Sequence, residues 1–94
     1  MRYSKHASKR SQQRALPEEV LNLVMALGED FKSYRGTRIK ALVSKFAKNE
    51  FLQELKLKGI KMKEHWCDTY LVYTPGGEVI TVGYRYKKIR DRIT

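Results

Sequence analysis

Helical spacing of small and apolar residues marks the start of the chain. Ser4 is a typical N-cap residue, and the sequence after it predicts a first helix over about residues 5–14. Tyr3, Ala7 and Ser11 recur every four residues, which places them on one side of that helix. We expect this narrow stripe to pack closely against the rest of the fold.

A second helix is predicted from Pro17 to about Leu27. Pro17 suits a first helical turn, where its missing N–H costs nothing, and Glu18 and Glu19 complement the positive end of the helix dipole. Gly28 is a natural stop. The apolar positions form a wide face suited to a core, namely Val20, Leu21, Leu23, Val24 and Leu27.

Two patterns compete over residues 36–43. Alternate residues suit the buried side of a strand, whereas the apolar spacing also fits a helical stripe. We favour a strand to Val43, followed by a helix that is capped by Ser44, runs to about Leu57 and stops at Gly59. Four of its apolar side chains are expected to face the core, namely Phe46, Phe51, Leu52 and Leu55.

An antiparallel hairpin is the clearest feature of the last third of the chain. Residues 69–74 and 78–86 are rich in aromatic and β-branched residues, and Pro75-Gly76-Gly77 is a typical turn between them. Residues 60–65 are a candidate for one further strand. These elements predict an α+β fold, in which N-terminal helices pack against a small antiparallel sheet, as a single domain over residues 1–94.

Net charge points to the class of partner. The 94 residues carry a formal net charge of +10, and 41% of them are hydrophobic, which suffices for a modest core. So strong a positive field favours nucleic acid, an anionic membrane surface or an acidic protein. We expect a cytoplasmic protein with no membrane partner, because no stretch resembles a signal peptide or a transmembrane helix and the core uses the apolar faces.

No metal or cofactor site is predicted. Cys67 is the single cysteine, and His6 and His65 are the two histidines, so the usual ligands of a zinc site are scarce. Cys67 beside Trp66 fits a small buried residue better than a nucleophile, and His65 on the other side of Trp66 is expected to be structural.

Both ends of the chain are strongly basic. The first fifteen residues contain five cations and no acid, and the last twelve contain five cations and one acid. These cations are Arg2, Lys5, Lys9, Arg10 and Arg14 at the start, and Arg85, Lys87, Lys88, Arg90 and Arg92 at the end. If the fold brings the two ends together, they form one cationic cleft flanked by tyrosines.

His6 and Arg10 lie one helical turn apart and would supply the chemistry of RNA cleavage from one helix face. A histidine takes or gives a proton near neutral pH, and an arginine fork pairs two phosphate oxygens. Thr81 and Arg85 on the last strand would complete the catalytic set from the opposite wall. The residues expected to bind nucleic acid around them are Arg14, Gln13, Tyr84, Tyr86, Lys87 and Lys88.

The sequence leaves an alternative open for each of these assignments. His6 also fits a solvent-exposed residue, and the arginines would equally form ion pairs with Glu18, Glu19 or Asp30. About half of the strand tyrosines belong in a core whatever the function. A lysine-rich run fits either a solvated face or a contact with the phosphate backbone, and comprises Lys56, Lys58, Lys61 and Lys63.

Two segments resemble a family of small toxin-like domains. The opening segment is SKHASKRSQQRALPEEVLNLV, in which a histidine followed by alanine and spaced arginines precedes a Pro-led helix. The closing segment is VITVGYRYKKI, in which a Val-Ile-Thr-Val core precedes an aromatic and basic tail. This family is grouped with the RelE/ParE-like toxins and with the barnase–EndoU–colicin–RelE ribonuclease fold.

The resemblance implies a RelE-like fold, RNA cleavage without a metal and, often, a cognate antitoxin that covers the basic cleft. Ala15 departs from the pattern, because many relatives have glycine there, between the two helices. We therefore expect a toxin-type endoribonuclease that acts on free or ribosome-bound RNA and has an acidic or helix-turn-helix antitoxin. By position, the motif residues are His6, Arg10, Arg14, Thr81 and Arg85.

Two other functions remain open. A non-catalytic basic module that binds RNA, DNA or a ribosome explains the charge and the tyrosines equally well. A toxin of the gyrase-inhibitor kind, whose basic surface serves an acidic antitoxin, cuts no RNA at all.

Overall fold

Three helices and five strands make up the part of the chain that the structure describes. The structure is a computed structural model and describes residues 1–63 and 65–85. The elements are β1 (Arg2–Tyr3), α1 (Lys5–Gln13), α2 (Glu18–Leu27), β2 (Glu29–Lys32), β3 (Arg38–Ala41), α3 (Lys45–Leu57), β4 (Thr69–Tyr73) and β5 (Glu78–Tyr84). The predicted α+β class is confirmed. No helix within these residues is long and apolar enough to cross a membrane.

Two serine caps start helices at the predicted positions. The Ser4 hydroxyl accepts a 3.0 Å hydrogen bond from the Ala7 N–H at the start of α1. The Ser44 hydroxyl accepts a 3.0 Å hydrogen bond from the Ala47 N–H at the start of α3. Each bond satisfies one of the N–H groups that a helix leaves unpaired in its first turn, so local capping decides where both helices begin.

α1 and α3 end in the same backbone motif. The residue after each C-cap adopts the left-handed conformation, with φ 52° at Ala15 and 72° at Gly59. After α1, the Ala15 N–H bonds to the Gln12 carbonyl (3.2 Å) and the Leu16 N–H to the Ser11 carbonyl (2.9 Å), which is a Schellman motif. The predicted stop at Gly59 is confirmed, and Ala15 occupies the equivalent position despite its Cβ.

Gly28 ends α2 because two backbones approach closely there. Its φ of −69° is open to any residue. A Cβ on Gly28 would lie 2.5 Å from the Val24 carbonyl oxygen and 3.2 Å from the Ala41 backbone nitrogen. Glycine at this position therefore lets β3 run beside the end of α2.

The five strands form one mixed sheet in the order β1-β5-β4-β3-β2. The β2–β3, β3–β4 and β4–β5 pairs are antiparallel, as predicted, whereas β1 runs parallel to β5. The hydrophobic pattern does not predict β1 or β2, because strands of two and four residues carry too short an alternation. The further strand predicted over residues 60–65 is not observed, because residues 60–63 are irregular and residue 65 lies in a turn. The last strand is confirmed as far as Tyr84, and residue 86 lies outside the described residues.

The helices cover one face of the sheet, and the core lies between them. It joins Ala7 of α1, Val24 of α2 and Phe51 of α3 to Leu71 and Val82 of the sheet. α1 lies over β5, while α2 lies over β4 and β3 and packs against α3 on its other side. This arrangement places the N-terminal helix on the last strand. The basic residues predicted at the C-terminal end beyond Arg85 lie outside the described residues.

α3 presents a different set of side chains to the core from the one predicted. Phe51 and Leu55 are buried as expected, but Phe46 is 74% exposed and Leu52 is 40% exposed. Ala47 precedes Phe51 and Leu55 at intervals of four residues, and these three form the inward stripe. Phe46 precedes Ala47 by one residue and so points roughly 100° away from the stripe.

Candidate nucleic-acid interface

The two ends of the described chain meet in the sheet. Arg2 pairs with Glu78 and Tyr3 with Val79 in the parallel β1–β5 ladder. The Ser4 N–H extends this ladder with a 2.9 Å bond to the Val79 carbonyl. The N-terminal basic segment is therefore anchored directly to the last strand.

Two hydrogen bonds hold α1 alongside β5. At its start, the Ser4 hydroxyl donates to the Ile80 carbonyl at 3.1 Å. At its end, the Tyr84 hydroxyl donates to the Arg14 carbonyl at 2.6 Å. Ser4 therefore lies level with Ile80, and Arg14 lies level with Tyr84. It follows that α1 runs in the same direction as β5.

One side of α1 faces away from α2 and carries the predicted cationic residues. Ser8 and Gln12, on the other side of the helix, line a cavity of about 430 Å³ together with Leu21 of α2. Helical spacing then turns His6 and Arg10 away from α2. His6 is exposed and Arg10 is half-buried. We call this side of α1, with its residues His6, Arg10 and Gln13, together with Thr81 of the adjoining strand β5, the α1–β5 edge.

His6 and Thr81 lie at the same level of the α1–β5 edge. His6 is two residues beyond Ser4, a rise of about 3 Å along a helix. Thr81 is one residue beyond Ile80, a rise of about 3 Å along a strand. Within residues 1–63 and 65–85 no hydrogen bond links His6 or Arg10 to Thr81, and the buried Nε of Arg10 has no partner there.

Arg85 lies at the far end of β5 rather than beside His6. Four residues separate it from Thr81, which is about 13 Å along a strand. Its guanidinium donates to the Leu42 carbonyl at 2.9 Å, and its N–H donates to the Asp68 carbonyl at 2.8 Å. The structure therefore places His6 and Arg10 on one side of α1 at the level of Thr81, but the Thr81 side chain, one residue from the core residue Val82, points to the opposite face of the sheet from α1. Arg85 lies with Arg14 at the other end of α1.

A carboxylate beside Arg85 is held in its charged form. Burial alone would raise the pKa of Glu29, but the N–H groups of Ser44 and Val43, the Ser44 hydroxyl and the charge of Arg85 lower it. The two N–H bonds measure 2.9 and 2.8 Å. Arg85 thus has a structural role in the loop before α3, in addition to the role that the sequence predicts for it.

The expected ion pairs between the helix arginines and nearby acids do not form among the described residues. Asp30 bonds instead to Arg38 Nε at 2.6 Å and to the Tyr73 hydroxyl at 2.7 Å, with Lys40 Nζ 4.0 Å away. In the same part of the chain, neither Glu18 nor Glu19 forms an ion pair. The ion pairs found within residues 1–63 and 65–85 therefore include none of the cations of α1.

The surroundings of Trp66 and of its neighbours His65 and Cys67 suit a role in the structure rather than in catalysis. Trp66 is buried in the core, and His65 Nδ1 lies 3.6 Å from Asp68 Oδ2. The His65 ring also lies 5.8 Å from the Tyr84 ring, centre to centre. Burial raises the pKa of the Cys67 thiol, which disfavours the thiolate that a nucleophile needs.

Two hydrogen bonds were not predicted from the sequence, namely the one from Ser4 to Ile80 and the one from Tyr84 to Arg14. Ser4 is recognisable as a helix cap, but its partner Ile80 is 76 residues away and carries no local signal. Tyr84 is predicted to stack on bases, and its hydroxyl also fixes the end of α1. The predicted contacts Tyr86, Lys87 and Lys88 lie outside the described residues.

Comparisons with known proteins give no evidence about the function, so a proposal has to rest on the geometry described above. No protein-family model, no curated protein and no solved structure matches the chain. The RelE-like resemblance therefore remains a prediction from two sequence segments. Among the described residues, no three His, Cys, Asp or Glu side chains converge as metal ligands would.

Proposed function

We propose that this protein is a toxin-type endoribonuclease that acts on cytoplasmic RNA at the α1–β5 edge. The observation that supports the proposal is the pair of hydrogen bonds, Ser4 to Ile80 and Tyr84 to Arg14, that holds α1 along β5. They set His6 and Arg10 of α1 beside the strand that carries Thr81. These are the residue types that cleavage of RNA without a metal requires.

His6 is the proposed acid–base residue. Its imidazole takes the proton from a ribose 2′-hydroxyl, the 2′-oxygen bonds to phosphorus, and the bond from phosphorus to the 5′-oxygen breaks. The leaving 5′-oxygen takes a proton from water, and His6 returns its proton to solvent. The products are a 2′,3′-cyclic phosphate and a 5′-hydroxyl end.

Arg10 and Thr81 are the proposed phosphate contacts. The Arg10 guanidinium lies one turn from His6 on the same helix face and stabilises the charge that builds on the phosphate oxygens. The Thr81 hydroxyl donates a hydrogen bond that orients the phosphate. Arg14 and Arg85, at the far end of α1, bind the next phosphates along the strand.

The test compares the same substitution at both histidines. His6→Asn and His65→Asn are purified beside the wild type and incubated with a single-stranded RNA in the presence of EDTA. We expect His6→Asn to lose at least about 100-fold in cleavage rate and to keep its RNA affinity, because general acid–base groups contribute that much to rate. His65→Asn should cleave like the wild type, and mass spectrometry should show the cyclic phosphate.

Arg10→Ala separates binding from chemistry. We expect it to weaken RNA binding and to slow cleavage, because Arg10 contacts phosphate in both steps. A wild-type protein that leaves RNA intact, or a His6→Asn variant that cleaves as fast as the wild type, would contradict the proposed reaction.

A non-catalytic RNA-binding module is the second candidate. The observation that favours it is that the His6 imidazole makes no hydrogen bond to any residue in the described ranges, so no partner orients it as in known acid–base sites. In this case the wild type binds RNA in a salt-sensitive manner without cutting it. Arg10→Ala then weakens binding, whereas His6→Asn leaves it unchanged.

A toxin of this type is expected to have a cognate antitoxin. An acidic or helix-turn-helix protein would complement the charge of the α1–β5 edge and block it. Induced expression should arrest growth and degrade RNA, and co-expression of the antitoxin should restore both. Growth arrest with intact RNA would favour a target other than RNA.

A further inference from the structure

The side of β2 that faces away from β3 is an open edge of the sheet. β2 is the last strand in the order β1-β5-β4-β3-β2, and no strand among the described residues pairs with it on that side. Its side chains Asp30 and Lys32 are exposed. We call this side of β2, from Asp30 to Lys32, the β2 edge.

The register of β2 against β3 decides which main-chain groups point outward. In an antiparallel pair, successive residues direct their N–H and C=O groups alternately toward and away from the neighbouring strand. The Ser33 N–H donates to the Thr37 carbonyl at 3.0 Å, one position beyond the last pair of the β2–β3 ladder, so Ser33 points toward β3. Phe31 also points toward β3, because the pairs of this ladder follow one another without a bulge. The N–H and C=O groups of Asp30 and Lys32 therefore point out of the β2 edge.

We propose that the β2 edge pairs with the β2 edge of a second copy of this chain, antiparallel and with Phe31 on the two-fold axis. The inference goes beyond the proposed function and does not depend on it. In such a symmetric pair the same surface of both copies meets, so the residue on the axis faces itself. Asp30 then lies opposite Lys32 of the second copy, and Lys32 lies opposite Asp30 of the second copy.

Main-chain geometry and charge select this register. Asp30 and Lys32 meet through their outward-pointing N–H and C=O groups, so each of the two pairs forms two main-chain hydrogen bonds. An axis between two residues would set outward-pointing groups opposite groups that point toward β3. An axis on Asp30 or on Lys32 would set like charges directly opposite each other, which destabilises a sheet.

The side chains on both faces of the paired strands also match. On one face, an acid lies opposite a lysine twice, and cross-strand pairs of opposite charge stabilise a sheet. Bonds from Arg38 (2.6 Å) and Tyr73 (2.7 Å) already hold the Asp30 carboxylate in place. On the other face, the two Phe31 rings meet in a pair without main-chain hydrogen bonds, where side chains approach most closely. Phe31 is half-buried in the single chain, so the contact covers the exposed part of its ring.

The short strand and the charge of the chain make this a weak, reversible dimer. A net charge of +10 on each copy opposes association, as do the neighbouring cations Arg38 and Lys40, and salt screens such repulsion. Pairing occupies the β2 edge of both copies, so the assembly closes at two. It joins the two five-stranded sheets into one. The two α1–β5 edges then lie seven strand spacings apart, which is about 34 Å.

Charge reversal tests the pairing. Asp30→Lys makes both charged positions of the β2 edge basic, and Lys32→Glu makes both acidic, so neither variant should pair with itself. An equimolar mixture sets lysines opposite acids in both pairs and should restore the dimer. Sedimentation equilibrium of RNA-free protein in moderate salt measures the association. We expect each variant alone to dimerise at least about tenfold more weakly than the wild type.

The matched control is Lys61→Glu, which makes the same change at an exposed lysine outside the sheet and should dimerise like the wild type. A wild type that stays monomeric at all concentrations, or a mixture that associates no better than its two components, would overturn the proposal. Loss of RNA cleavage in any of these variants bears on the proposed function and not on the dimer.

Two further measurements keep the test valid if Asp30→Lys disturbs the fold. In the wild type, the amide protons of Asp30 and Lys32 should become protected from exchange as the protein concentration rises. Protection that is independent of concentration would show that a segment of the same chain covers the β2 edge, and the proposal would fail. In a Cys67→Ser background, Phe31→Cys should oxidise to a disulfide-linked dimer, whereas Lys32→Cys, offset by two residues from its own copy, lies out of reach. Equal cross-linking of the two cysteine variants would exclude this register.

Discussion

The phenolic hydroxyl of Tyr84 donates a 2.6 Å hydrogen bond to the main-chain carbonyl of Arg14, 70 residues earlier in the sequence. This carbonyl belongs to the last turn of α1, where helix carbonyls lack partners within the helix. Tyr84 thus caps the C-terminal end of α1 and attaches it to the last strand at the same time. The orientation of the α1–β5 edge depends on this bond at one end and on Ser4 at the other.

Tyr84→Phe should loosen the end of α1. It removes one hydrogen bond and keeps the ring, so we expect a loss of about 1 kcal/mol in the free energy of unfolding, measured by urea denaturation. Amide exchange at residues 10–14 should accelerate. Tyr70→Phe is the matched control, because the Tyr70 hydroxyl forms no hydrogen bond to a described residue. Equal losses in the two variants would show that the Arg14 bond does not stabilise the fold.

Ala15→Gly should stabilise the protein slightly. Ala15 holds a φ of 52°, which costs an L-residue with a Cβ about 1–2 kcal/mol, and glycine adopts it freely. The gain is partly offset by the larger backbone entropy of glycine in the unfolded chain. We expect a net increase of up to about 1 kcal/mol in the free energy of unfolding. Gly59→Ala, the reverse change in the same motif after α3, should lower it, and two changes of the same sign would contradict this explanation.

Asp30→Asn should reduce the acid sensitivity of the fold. Burial alone would raise the pKa of Asp30, but hydrogen bonds from Tyr73 and Arg38 and the charge of Lys40 outweigh it, so its pKa lies below the ordinary value. A lowered folded-state pKa contributes stability above the unfolded-state value of about 3.9, and this stability is lost as the pH falls through the folded-state value. The wild type should therefore exceed the variant in stability at pH 7 and approach it near pH 2. The measurement is the free energy of unfolding from urea denaturation at each pH. A difference between wild type and variant that stays constant across this range would contradict the prediction.

Arg10→Gln should reduce the salt dependence of RNA binding. Each phosphate contact to a single strand contributes about 0.7 to the slope of log affinity against log salt concentration. Loss of one contact should lower the slope by about that amount and weaken binding to all sequences alike. Arg35→Gln, an exposed arginine in the turn between β2 and β3, is the control that should leave the slope unchanged. A slope unaffected by Arg10→Gln would place the phosphate contacts elsewhere.

The sequence predicts those elements whose signals are local. Ser4 and Ser44 cap their helices through bonds that span three residues, and Gly59 stops α3 through its own backbone freedom. The prediction that Phe46 faces the core is wrong. An apolar residue just after a cap fits the helical pattern, but α3 has more apolar residues than its single inward stripe can bury.

The arrangement of the candidate site depends on contacts that no local pattern encodes. The basic composition of the two ends suggests that they share a partner. The N-terminal segment reaches the last strand through a strand of only two residues, Arg2–Tyr3, which no local pattern predicts. Arg85 shows the limit of assignment by residue type. An arginine on the last strand fits a phosphate clamp, but its guanidinium also binds the Leu42 carbonyl, which lies 43 residues away. Ala15 shows the converse, since the turn after α1 adopts the left-handed conformation without a glycine.

The pairing of β1 with β5 also determines when the α1–β5 edge can form during synthesis. Ser4 and Ile80 are separated by 76 residues, so closing this contact requires almost the whole described chain to be present and ordered. A nascent chain can form its capped helices early, but it has no β5 to align α1 against. The α1–β5 edge therefore cannot be completed before β5 has been synthesised.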